Sequence, residues 1–264
     1  MESRQEIITK INLIFMSRTE KHESKEINID DLTSQLKNPE LYEGKETEIQ
    51  CMDGRINGGH GLAGSGILLE RGNENPDLPA GKYMKIFREK VEKGELKDVC
   101  WHSNCGAAGL YLKGKGIEPT EEAKDAAAKY FAEKLGEELG LPVKKSGHEM
   151  AHHSEQGIYV DSTGRLNTKS KHLPNGFLLN PDLTGDLNYH LAEIEVAISI
   201  SFGGHGPGPD KFSPANRYFI MLINDPDKPD YFRGYADKIQ SLIDTKFPQF
   251  ANKIAVKTVT PELK

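Results

Sequence analysis

The chain has 264 residues, 36% of them hydrophobic and 28% charged, which supports a buried core and excludes wholesale disorder. Its formal net charge of -6 argues against a nucleic-acid backbone as partner, which needs a basic stripe, while small anions stay open because they respond to the local field of a pocket. No apolar run reaches the length of a membrane span, and three cysteines (Cys51, Cys100, Cys105) make no disulfide framework but suit a reducing, cytoplasmic setting.

In chain order, Ile7, Ile8, Ile11, Ile14 and Phe15 recur at helical spacing. No small-residue cleavage site follows, so an amphipathic packing helix is expected rather than a signal peptide. Residues 47–56 (TEIQCMDGRI) read as a strand running into a Gly-rich loop, and 67–70 (ILLE) as a short strand. Tyr83, Met84, Phe87 and Val91 form one helical face, stopped by Gly94. DVCWH is a further strand. Pro119 and Thr120 open a helix with Glu121 and Glu122 at its positive end and Tyr130, Phe131, Leu135 and Leu139 as its buried stripe. GIYVDSTGRL reads as a strand entering a turn. The alternation predicts an α/β fold with a mostly parallel central sheet flanked by helices.

After residue 171 the texture changes. Ile194, Val196, Ile198, Ile200 and Phe202 alternate with Glu195, Ala197, Ser199 and Ser201, which predicts a half-buried strand. RYFIMLI and KIAVKTV are further strands, with a helix near 231–246. The division expected is an N-terminal helical arm (1–45), an α/β core (46–170) and a β-rich C-terminal extension (171–264). GGHG occurs at 58–61 and again at 203–206, a weak trace of duplication with unmatched flanks.

The chemistry gathers in two short segments. On a strand, Cys51, Asp53 and Arg55 would share a face, and a thiol, a carboxylate and a guanidinium are costly to bury unless paired or bound to metal. His102 and Cys105 lie where the next strand ends, spaced so that one turn presents both to a single ion. Cys51, His102 and Cys105 form a donor set suited to zinc, with one tetrahedral position left open, the arrangement of a catalytic rather than a structural zinc. Each segment alone could be ordinary packing; the two together are a stronger signal. Cys100 reads as a packed core thiol, and Trp101 as sheet or interface packing.

Cys-x-Asp-x-Arg (CMDGR, 51–55) followed by His-x-x-Cys-Gly (HSNCG, 102–106) resembles the signature of the β-class carbonic anhydrases. AGSGILL, the 81–93 helix and YVDSTGRL at 159–166 fit further places in that pattern, so the resemblance covers roughly residues 47–168. The chain departs from it after the first motif, where AGSG stands in place of Arg-Asn-x-(Ala/Gly), and in the C-terminal region, which has no counterpart. The resemblance implies a zinc-dependent lyase, a carbonate dehydratase, that interconverts carbon dioxide and bicarbonate through a zinc-bound hydroxide. By that resemblance Cys51, His102 and Cys105 hold the metal. Asp53 orients the hydroxide or closes on the metal, and Arg55 holds Asp53 back.

His60, in the Gly-rich loop, is the nearest proton-shuttle candidate by sequence, with His148, His152 and His153 as a second group; solvated surface histidines are the plainer reading for all four. The resemblance also implies a homodimer or multiple of dimers, with the site near the subunit interface. Two alternatives stand beside it: a carbonyl sulfide or carbon disulfide hydrolase on the same fold, and a zinc-binding regulatory protein without turnover.

Overall fold

A computed structural model describes residues 27–263 apart from 45–46, 54, 57–58, 72–79, 148–153, 169 and 204. The Ile7–Phe15 stretch, His148, His152 and His153 lie outside the described residues. The chain is α/β and contains two four-stranded, all-parallel sheets.

Sheet one comprises β1 (Glu48–Cys51), β2 (His60–Leu62), β3 (Asp98–Trp101) and β4 (Val143–Lys145), in the order β2-β1-β3-β4. Helix α1 (Ile29–Gln35) precedes it. Parallel neighbours need crossovers, and α2 (Ile67–Arg71), α3 (Ala80–Glu92), α4 (Gly106–Gly114) and α5 (Glu121–Leu139) lie along these connections. Helix α5 starts where Thr120 accepts a hydrogen bond from Ala123 N and stops at left-handed Gly140. It buries Phe131, Ala132, Leu135 and Leu139. Tyr130, expected in that stripe, is 53% exposed; it precedes Phe131 by one residue, which on a helix turns it off the buried face.

Sheet two comprises β5 (Gly157–Asp161), β6 (Gly176–Leu179), β7 (Tyr218–Ile223) and β8 (Ile254–Val259), in the order β6-β5-β7-β8. Helices α6 (Leu187–Phe202) and α7 (Tyr235–Lys246) belong to its connections. Both of its faces are buried, as befits parallel strands. Ile158, Val160, Ile220 and Leu222 join the large core shared with sheet one. Tyr159, Phe219, Met221 and Ile223 face a second core closed by Ile29 and Leu32 of α1 and by Leu36, which caps it.

The two sheets repeat one topology: in each, the second strand in sequence lies outside the first, and the third and fourth follow on the other side. They meet at β2 and β6. Leu178 N donates to Met52 O at 3.0 Å, and Gly61 N donates to Asn180 Oδ1 at 2.9 Å. A side chain at Gly61 would collide with the Leu178 carbonyl, so this approach requires glycine. The GGHG pair does not carry the repeat. Its first copy leads into β2 and its second follows α6.

Three expectations are corrected. ILLE is helical in α2; so short an apolar run does not distinguish strand from buried helix by period. Residues 194–202 belong to α6. Their alternation concealed a helical set, Tyr189, His190, Glu193, Ile194, Ala197, Ile198 and Ser201, all buried, and a helix buried on several sides carries apolar residues around its circumference. Residues 171–264 contribute β6, β7 and β8 with α6 and α7, and the sheet they build begins at β5, before residue 170. Finally, β1 ends at Cys51, so Asp53 and Arg55 lie beyond the strand.

Candidate metal centre

Because β1 and β3 are parallel neighbours, their C-terminal ends lie side by side, where open α/β sheets collect ligands. Cys51 ends β1, and His102 follows β3 directly. Cys105 caps the N-terminus of α4. The donor atoms of Cys51, His102 and Cys105 all lie within 4.8 Å of one another, and all three residues are buried. The two Sγ atoms are 3.8 Å apart, too far for a disulfide. A tetrahedral ion with metal–sulfur distances of about 2.3 Å would separate its two sulfurs by about 3.8 Å. The donor types and the sulfur spacing therefore fit a thiolate-binding metal ion.

His102 Nδ1 lies 2.9 Å from Ser103 O. Donation from Nδ1 to that carbonyl leaves Nε2 to carry the lone pair, the second-layer contact that typically fixes a ligating imidazole. Nε2 lies 3.6 Å from Asp53 Oδ2. The hydrogen bond from Cys51 pulls the Cys105 thiol well below its ordinary range, aided by His102. That same bond and burial push Cys51 up. The pair is thus poised to hold one proton between two sulfurs, a proton that metal uptake would release. Burial pushes the His102 imidazole down, but Cys105 and Asp53 outweigh it and the net shift is upward.

Asp53 and Arg55 form a buried pair. Arg55 Nη2 donates to Asp53 Oδ2 at 2.7 Å and Nε to Oδ1 at 3.0 Å. Arg55 N also donates to Oδ1 at 2.9 Å, closing a tight side-chain-to-backbone turn. This turn, rather than strand alternation, brings both side chains to the thiols. Arg55 Nη2 reaches on to Asn104 O at 3.0 Å.

Four residues at the site carried no signal in the motifs. Asn104, between His102 and Cys105 in the turn, has φ 53°, a left-handed conformation that asparagine adopts more readily than most L-residues. Asp125 and Lys124, from the first turns of α5, bond to it. His205, from the second half, places Nε2 3.4 Å from Asn104 O, and Ile200 and His205 crowd Gly106 so closely that only glycine fits without a shift.

His60 opens β2 in register with Ile49, two residues before the Cys51 level. Its ring lies by Gly164 of the second half, and it is not a member of the metal-binding group. Cys100 is fully buried outside the group, its thiol pushed up to about 11 chiefly by burial. Trp101 is half-buried under Lys145, whose Nζ is 4.8 Å from the ring centroid. YVDSTGRL forms β5 and a turn in which Asp161 accepts from Thr163 N at 3.0 Å and Thr163 Oγ1 at 2.7 Å. Comparisons with protein-family models, curated proteins and solved structures return no match.

Proposed function

We propose that the chain binds zinc through Cys51, His102 and Cys105 and interconverts carbon dioxide and bicarbonate, as a carbonate dehydratase. The observation that carries the reading is the convergence of these donors within 4.8 Å beside a carboxylate fixed by Arg55. Zinc in such a site supplies Lewis acidity that makes water a nucleophile near neutral pH.

The chain's own residues do the rest. Cys51, His102 and Cys105 would hold the ion, and three protein donors would leave room for a solvent molecule. Ionised Asp53 only accepts hydrogen bonds, so it holds the proton of the attacking water and turns the oxygen lone pair toward substrate. Arg55 engages both Asp53 oxygens, which would keep the carboxylate from binding the ion itself. The buried walls exclude bulk water and strengthen these contacts. Among the described residues no helix is long and apolar enough to cross a membrane; a cytoplasmic setting suits the free thiols. A homodimer or multiple of dimers belongs to the same proposal.

The test is stopped-flow hydration of carbon dioxide at mildly alkaline pH, with a chelated sample alongside. Fast hydration lost on chelation is the expected result. A folded, zinc-replete protein without turnover would overturn the reading and favour a non-catalytic zinc protein; hydrolysis of carbonyl sulfide in place of hydration would point to the sulfur-analogue enzyme.

A further inference from the structure

We propose that Asp125, with Lys124 beside it, is a positioning residue for the metal-ligand turn: it holds Asn104 left-handed so that His102 and Cys105 face one ion. The inference rests on the metal-binding reading of Cys51, His102 and Cys105, not on the reaction.

Asn104 directly precedes Cys105, and its φ of 53° sets how the chain turns from the imidazole to the thiol. L-residues rarely adopt this conformation without help. Here the N–H, the side-chain oxygen and the carbonyl of Asn104 are all engaged. Its N–H donates to Asp125 Oδ1 at 2.7 Å. Its side-chain oxygen accepts from Lys124 Nζ. Its carbonyl accepts from Arg55 Nη2 at 3.0 Å and lies 3.4 Å from His205 Nε2.

Asp125 is the fifth residue of α5, beyond the positions whose N–H groups lack helical partners. The start of α5 is already served by Thr120, so the Asp125 carboxylate is free to reach out to another element. Lys124 is only 9% exposed, unusual for a lysine, and its stem packs on Gly109 of α4. The two side chains therefore start from a helix anchored by Ala128, Phe131 and Ala132 in the core. Rigid support behind a ligand turn is what keeps donors at metal-binding distance.

The test compares Asp125→Ala, Asp125→Asn and the double variant Asp125→Ala with Asn104→Gly. Zinc affinity is read by chelator competition and ligand geometry by the absorption of the cobalt(II) form, with circular dichroism to check folding. Loss of a second-layer partner typically weakens metal binding about 10- to 100-fold, and that is expected for Asp125→Ala, together with altered cobalt bands. Asp125→Asn keeps an oxygen acceptor and should restore both readouts. Glycine adopts the left-handed region freely, so the double variant should recover part of the affinity.

Unchanged zinc affinity and cobalt bands in Asp125→Ala would overturn the inference. So would an Asp125→Asn protein as impaired as the alanine variant. If Asp125→Ala does not fold, Asp125→Asn decides alone: wild-type affinity and bands support the acceptor role, and impaired ones overturn it. A wild-type protein that takes up neither metal overturns the metal site itself, and this inference with it, an outcome distinct from the other two.

Discussion

The two halves of the molecule share a strand order and differ in what stands at the strand ends. Sheet one has short strands and an outer strand, β4, with Lys144 and Lys145 exposed; at its C-terminal ends it gathers Cys51, His102 and Cys105. Sheet two has longer strands, with β5, β6 and β7 buried throughout, and among the described residues no counterpart group forms at its ends. Even the turn after the first strand is repeated. Arg55 N donates to Asp53 Oδ1 at 2.9 Å, and Thr163 N donates to Asp161 Oδ1 at 3.0 Å. Asp53, however, is held by a neighbouring guanidinium, whereas Asp161 also accepts from Arg165 N and Leu166 N, both at 3.0 Å. One carboxylate faces a site and the other ties off its own loop. Scaffold and chemistry are thus separable, and the chemistry rests on a few side chains at strand ends.

The sharpest way to break this comparison is to remove a ligand. His102→Ala or Cys105→Ser should abolish stoichiometric metal uptake and, under the proposed function, essentially all turnover; elemental analysis and stopped-flow hydration check both. Asp53→Ala should retain metal while losing turnover about 100-fold or more, the range of a proton-handling group. A fully active Asp53→Ala would remove its assigned role.

Asp161→Ala, its structural relative, should do the reverse. Metal content stays unchanged, while stability falls on the order of 2–3 kcal/mol because buried donors lose their acceptor; urea unfolding measures it. Gly61→Ala presses on the Leu178 carbonyl at the junction of the sheets and should cost about 1–3 kcal/mol, read as a lowered thermal midpoint. Tyr130→Ser, on an exposed helix face, should change stability by less than about 0.5 kcal/mol.

The Cys51, His102 and Cys105 cluster was legible because metal chemistry restricts residue types so tightly that Cys-x-Asp-x-Arg and His-x-x-Cys stand out in an ordinary sequence. The α/β class was legible from alternating periods, and the caps of α5 from Thr120 and Gly140. Local pattern failed where tertiary context decided. The Ile194–Phe202 run alternates as a strand does, yet it is wound into a helix packed between neighbours. Asp53 and Arg55 reach the thiols through a turn that alternation does not describe. Asn104, Lys124, Asp125 and His205 meet only when α5 and the second half fold against the His102 turn, a meeting without a local signature. The repeated topology was hidden for the same reason, since strand order is a property of pairing across distant positions, and the GGHG tetrapeptides mark unrelated places.

The junction of β2 with β6 also reduces the number of open strand edges. Each four-stranded sheet alone has two outer strands, and bare strand edges template pairing between molecules. Here each sheet hides one edge against the other and turns the remaining edges, β4 and β8, outward. Those two carry exposed Lys144, Lys145 and Lys257, of which Lys144 pairs with Glu48 and Asp98 and Lys257 with Asp30, so charged side chains front both edges. Joining the two sheets at one edge thus leaves the pair with two outer strands, where the separate sheets would have four.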